Sequence, residues 1–237
     1  MGKEREKEGL VEDLIDKIRK EEVTEGEAYQ EIYRRGLEHG KYSSRVSNTV
    51  MTLGFILPYL PVVVAVLDVL GNVPSLAPFV ERLAFLRVLV LMPRIFFPQI
   101  VVYLAIVTFV ISLIVMVYAV YLRAKKGGCG WKGESETVML VTEGVYNIVR
   151  HPANLCFGLV LLSVTVGLSN WLPFTPLSVI GNILVFLGVY RSSVEEEKLD
   201  LLKWGEKYQR YMEKVPRFNF LLGIWRLATS DDLTFNV

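Results

Sequence analysis

The hydrophobic positions of this chain fall into long unbroken blocks separated by short polar ones. No charged residue occurs from Ile95 to Leu122, a run of 28, or from Pro152 to Tyr190, a run of 39. A third charge-free run extends from Val46 to Leu67. The apolar core of a bilayer takes about 20 residues of helix, so each run is long enough to cross it. The longest can cross twice, and Asn170-Trp171-Leu172-Pro173 breaks it near its middle. That break predicts a tight helical hairpin with a tryptophan at the interface. Residues 78–93 are apolar but carry Glu81, Arg82 and Arg87. Charges inside a span are costly unless they face protein or water, so this stretch is expected to be a fifth, marginal crossing.

The two ends are patterned differently. Within residues 1–45, Leu10, Val11, Leu14, Ile15 and Ile18 recur at helical spacing, with charges between them. Thr24 and Glu27 have the spacing of a capping box that opens a second helix through Ala28, Tyr29, Ile32 and Tyr33. Twelve acids and ten bases surround these stripes, so their outer faces are solvated. The segment reads as a charged amphipathic helical appendage, suited to self-association or to lying on a membrane. It has no early apolar core, so no secretory signal is expected. Beyond Arg191 comes a charged segment over 192–217. It is followed by an apolar-aromatic tail with Phe218, Phe220, Leu221, Ile224 and Trp225, expected at the bilayer interface.

Composition agrees with the pattern. The chain is 52% hydrophobic with a mean hydropathy of +0.37, above the apolar share of a soluble domain. A net charge of +1 by itself rules out nothing, and no nucleic acid partner is expected. Arg123, Lys125 and Lys126 directly follow a charge-free run, which favours the cytosolic side for that end. Lys41, Arg45 and Arg94 flank other runs, so the sign of the topology is weak. Cys129 and Cys156 show neither metal nor redox spacing, and no metal is expected. The expected fold class is all-α: an integral membrane helical bundle of about five transmembrane helices. Residues 1–45 form the amphipathic appendage, and residues 46–237 form the membrane domain.

Four features bear on chemistry. Gly128-Cys129-Gly130-Trp131-Lys132-Gly133 matches a dinucleotide fingerprint in letters, but an apolar helix precedes it where a strand is required, so the glycines read as a helix exit. Arg150-His151-Pro152 stands where a polar loop meets the longest apolar run. Pro152 suits the first position of a helix, which places two cationic side chains and free N–H groups at one anion-favouring spot. Glu195-Glu196-Glu197 follows the last run. On a helix over 192–212, Glu197, Leu201, Trp204, Tyr208 and Tyr211 share one stripe, so Glu197 turns inward with the apolar face. A carboxylate there accepts hydrogen bonds from a sugar diol or an ammonium. Ser193 and Glu196 also have capping-box spacing.

The order of these pieces is more specific than any one of them. Leu140-Val141-Thr142-x-Gly144-Val145-Tyr146 is followed by Arg150-His151-Pro152, an apolar hairpin and Glu196-Glu197. Then come Trp204-Gly205-Glu206-x-Tyr208-x-x-Tyr211 and Val215-Pro216-Arg217-Phe218. Over roughly 131–218 this resembles the isoprenylcysteine carboxyl methyltransferase family, within a wider group that includes phospholipid N-methyltransferases. The resemblance implies a multi-pass membrane enzyme that binds S-adenosylmethionine at the cytosolic face and methylates a lipophilic acceptor, a prenylcysteine-type carboxylate, entering from the bilayer among membrane lipids. By position, the cofactor contacts implied are Val138, Met139, Leu140, Val141, Tyr146, Arg150, His151, Pro152, Ala153, Asn154 and Glu196. The catalytic roles implied fall to Arg191, toward the acceptor, and Glu197. Asn154 replaces an aromatic usual in the family, and Cys156 replaces a glycine. Methyl transfer from a sulfonium is an in-line displacement that needs alignment of two reactants more than covalent help. Two further readings stay open: an NADPH-dependent membrane reductase of the sterol type, and a non-enzymatic membrane scaffold built on residues 1–45.

Overall fold

A computed structural model describes residues 45–83, 85, 88, 92–128, 137 and 139–229, together with Lys17, Glu31 and Arg34. The expected appendage therefore lies almost wholly outside the described residues, as does Val138. All three described residues of residues 1–44 are helical, and Arg34 pairs with Glu31 one turn away. No strand occurs among the described residues.

The helices follow the charge-free runs. Helix α1 spans Arg45–Leu70 and tightens into a 3-10 turn at Leu57–Tyr59, where Pro58 and Pro61 withhold two backbone donors. Helix α2 is short, Ala77–Arg82, and α3 spans Gln99–Lys126. A 3-10 turn at Gly144–Asn147 precedes α4, Pro152–Gly167. Helices α5, Pro176–Lys214, and α6, Phe220–Thr229, complete the chain. Among the described residues three helices, α1, α3 and α5, are long and apolar enough to cross a membrane. In α3 only 17% of the most apolar stretch is buried within the protein. The outward side chains include Ile100, Leu104, Ile111 and Ile114, an exposed apolar surface of the kind a membrane-crossing helix presents. The expected hairpin is present, with α4 and α5 joined across Leu168–Thr175. The expected crossing over 78–93 is not met by a continuous helix: α2 has six residues and ends at Leu83. Helix α5 is charge-free only to Tyr190, so its crossing part ends there and residues 191–214 continue beyond it.

Two compact units divide the chain. One comprises Val46–Leu113 and Phe157–Val189. Its helices meet through small residues: a Cβ built on Gly181 would lie 2.5 Å from the Gly54 carbonyl oxygen and 2.7 Å from the Pro58 ring. Such close backbone approach is how apolar helices associate where lipid removes the hydrophobic drive. A hydrogen bond adds to it, with Asn182 Nδ2 donating to Thr165 Oγ1 at 3.0 Å and to the Ser178 carbonyl at 2.7 Å.

The other unit holds Ile114–Cys156 and Tyr190–Val237, together with the N-terminal residues. Its core is the buried cluster of Trp204, Tyr208 and Tyr211 on α5 with Val215 directly after it. Tyr211 donates to the Tyr146 carbonyl at 2.5 Å, and Tyr146 donates to that of Ala119 at 3.3 Å. Gly205 interrupts α5 with φ 49° and ψ −124°, a conformation that glycine adopts without a Cβ penalty. Arg226 of α6 donates to the Glu213 and Lys214 carbonyls, closing the end of α5.

Gly181→Ala is expected to destabilise the full-length protein by about 1–3 kcal/mol through overpacking against backbone. Gly167→Ala, whose Cβ would meet only Ile106 at 4.0 Å, is the silent control. Thermal unfolding in one detergent compares them.

Candidate functional site

The site grows from the first residue of α4. Pro152 opens that helix and is fully buried, and His151 immediately before it is 3% exposed. Its ring lies between two carboxylates: Nδ1 is 3.1 Å from Glu196 Oε2 and Nε2 is 3.3 Å from Glu197 Oε1. Carboxylates only accept, so the Nε2 contact is a hydrogen bond donated to Glu197, while Nδ1 lies close to Glu196 without being aligned to bond with it. Asn154 donates to Glu196 Oε2 at 2.7 Å and to Ser193 Oγ at 3.0 Å. The position that lacks an aromatic therefore carries a polar tie to the acidic pair.

Glu197 is the most heavily contacted group. Arg217 grips it with both arms, Nε at 2.8 Å and Nη2 at 2.5 Å, while Arg150 Nη2 lies 3.3 Å away. The Arg217 guanidinium also covers the Tyr190 ring at 4.9 Å. Burial alone would raise the Glu197 carboxyl, but hydrogen bonds from Arg217 and His151 and the charge of Arg150 hold it down, to about 2. The same hydrogen bond raises Arg217 above its ordinary value. Backbone contacts brace the arrangement, since Arg150 N donates to the Pro216 carbonyl at 3.0 Å.

Beside this network lies a small cavity of about 30 Å³. Leu140, Val141, Tyr146 and Arg150 line it from one side of the sequence, and Asp200, Trp204 and Tyr208 from the other. That volume has room for about two waters or one small charged group. Arg150 Nε and Nη1 and Asp200 Oδ1 are buried without a hydrogen-bond partner in the protein. Burial pushes the Asp200 carboxyl up to about 7, against the charges of Lys203 and His151. Lys203 itself is buried and donates to the Thr137 carbonyl at 3.0 Å.

No protein family, curated protein or solved structure matches the chain. The site therefore rests on its own geometry.

Of the residues singled out in the sequence, Leu140, Val141, Tyr146 and Arg150 converge on the cavity, while His151, Asn154, Glu196 and Glu197 form the network. Pro152 is buried beside them, and Ala153 packs on the Ala119–Leu122–Val141–Tyr146 cluster. Three positions stand differently from the pattern of the sequence. Arg191 is not part of the network: its side chain is 56% exposed and pairs with Glu195 one turn on. Met139 is exposed and does not line the cavity, its N–H being bonded to the Gly127 carbonyl. No helix starts at Ser193, because α5 runs through it and Ser193 receives the Asn154 amide instead. The inward stripe also passes through buried Asp200, with Leu201 at 36% exposure. Arg217 and Asp200 were missed as site residues. Arg217 stands in the Val-Pro-Arg motif, and Asp200 lies three residues after Glu197 on the same helical face.

Replacing Arg217 by Met leaves Glu197 with a deficit of partners and is expected to destabilise the protein by on the order of 3 kcal/mol. The double variant Arg217→Met/Glu197→Gln should recover part of that loss when both are melted in detergent. The depressed Glu197 carboxyl also sets a pH window. Its stabilisation is fully present above the ordinary value of 4.5 and is lost as pH falls toward about 2. Melting temperature against pH is expected to drop through that window in the native protein, and less steeply in Glu197→Gln.

Proposed function

We propose that this chain is an integral, multi-pass membrane methyltransferase that uses S-adenosylmethionine and acts on a lipophilic acceptor, most simply a prenylcysteine-type carboxylate. One observation carries the reading. Residues 140–154 and 196–217, far apart in sequence, meet around one cavity and one ion-pair network, in the order that resembles the isoprenylcysteine carboxyl methyltransferase family.

The residues present fit such a cofactor in kind. Arg150 and Asp200 hold buried polar atoms free for a charged ligand, and Trp204, Tyr208 and Tyr211 supply flat apolar walls. The cavity is far smaller than the roughly 300–1,000 Å³ of ordinary ligand pockets, so it takes one end of the molecule and widens for the rest. When bound, S-adenosylmethionine supplies an electrophilic methyl on a sulfonium, and transfer to a carboxylate yields a methyl ester and S-adenosylhomocysteine. The protein's part is alignment. The His151–Glu196–Glu197–Arg217 network holds the start of α4 against α5, and an ionised carboxylate needs no general base. Arg191, exposed at the last turn of the apolar part of α5, is the cation that an anionic acceptor leaving the bilayer meets. Arg123, Lys125 and Lys126 at the end of α3 support a cytosolic site.

The test uses purified full-length protein in lipid nanodiscs. S-adenosylmethionine is expected to raise the melting temperature where NADPH does not, and label from its methyl group should appear in prenylcysteine or in an extracted lipid. His151→Ala should slow transfer by about 100-fold, the penalty of misaligned reactants. Absence of cofactor binding at micromolar concentration would sink the reading.

A further inference from the structure

We propose that the cavity lined by Arg150 and Asp200 is a zwitterion site, taking the α-amino-acid end of a ligand with its carboxylate on Arg150 and its ammonium on Asp200. This deepens the cofactor reading and rests on it, since S-adenosylmethionine carries such an end, and it brings in Asp200, which the sequence pattern did not single out.

Three observations converge. The first is that charges of both signs line one small cavity, Arg123 and Arg150 against Asp200, and two of them are nearly sealed from solvent: the Arg150 side chain is 8% exposed and Asp200 is 4% exposed. The second is that each has buried polar atoms without a hydrogen-bond partner in the protein, Nε and Nη1 on Arg150 and Oδ1 on Asp200. Native interiors rarely leave such atoms unsatisfied, because their desolvation goes uncompensated. The third is an excess of cation around Glu197. That carboxylate is already gripped at both oxygens by Arg217, so the 3.3 Å contact from Arg150 Nη2 uses one corner of a guanidinium whose other donors stay unspent.

An anion alone would answer the Arg150 donors and leave Asp200 Oδ1 unanswered, and a cation alone would do the reverse. A ligand bearing both charges at amino-acid spacing satisfies both. The size agrees: about 30 Å³ admits a charged head and excludes a nucleoside. The walls of Trp204, Tyr208 and Tyr211 lower the local dielectric and strengthen both pairings.

Titration calorimetry on the full-length protein in detergent tests the proposal with three probes: S-adenosylhomocysteine, its decarboxylated analogue, and 5′-methylthioadenosine, which lacks the amino-acid end. The native protein is expected to bind S-adenosylhomocysteine at least about tenfold more tightly than either truncated probe, the worth of one charge-assisted contact. In Asp200→Asn the advantage over 5′-methylthioadenosine should shrink toward unity while the affinity for 5′-methylthioadenosine itself holds. Equal affinities for all three probes in the native protein overturn the zwitterion site and leave the cofactor reading standing. So does an Asp200→Asn variant that weakens every probe alike. If no adenosyl compound binds the native protein, the cofactor reading falls, and millimolar free methionine then decides the site alone. Binding that Asp200→Asn abolishes sustains it, and no binding overturns it.

Discussion

Glu197 is a carboxylate withdrawn from water, and the second unit is arranged around keeping it charged. Arg217 reaches it from the segment after α5, while Arg150 and His151 reach it from the segment before α4. A buried ion is expensive unless its partners are close and well aimed, and here the partners come from different parts of the chain. Satisfying one charge therefore fixes three backbone segments at once. The hydrogen bond from Arg150 N to the Pro216 carbonyl, and that from Tyr211 to the Tyr146 carbonyl, run between the same segments. The cavity sits where this closure is incomplete, since Arg150 and Asp200 contribute charge to its lining that the protein does not fully use.

The apolar helices and the hairpin are legible in the sequence because a charge inside a span is excluded by solvation alone, and that constraint is local. The meeting of 140–154 with 196–217 is legible only through order and spacing. The ion-pair assignments are less legible. Arg191 lies close to Glu197 in sequence, but six residues of helix leave the two side chains about 120° apart around the axis, on different faces. Arg217 lies 20 residues away and meets Glu197 only because the chain doubles back after α5. Leu201 and Asp200 are adjacent positions near the same inward face. Apolar preference selects the leucine, yet the structure buries the aspartate. Hydrophobic patterning misassigns such a residue because it assumes that the interior has no charge of its own to answer.

Asn154 shows the same logic in reverse. An aromatic there would offer a flat wall, whereas the amide joins Ser193 to Glu196 and stiffens the acidic pair from the α4 side.

The continuity of α5 has one more consequence. No break separates Tyr190, where its charge-free part ends, from Glu196 and Glu197, and the kink at Gly205 comes only afterwards. At about 1.5 Å per residue, the acidic pair stands roughly 10 Å along the axis from the end of the apolar part. A rigid rod of that length acts as a ruler between two solvents. If the charge-free part of α5 filled the hydrocarbon of a bilayer whose headgroup layer is about 5–7 Å thick, the pair would stand at the outer edge of that layer. For a ligand with a polar end and an apolar tail, a rod of that length would gauge the distance between the two before any side chain is touched.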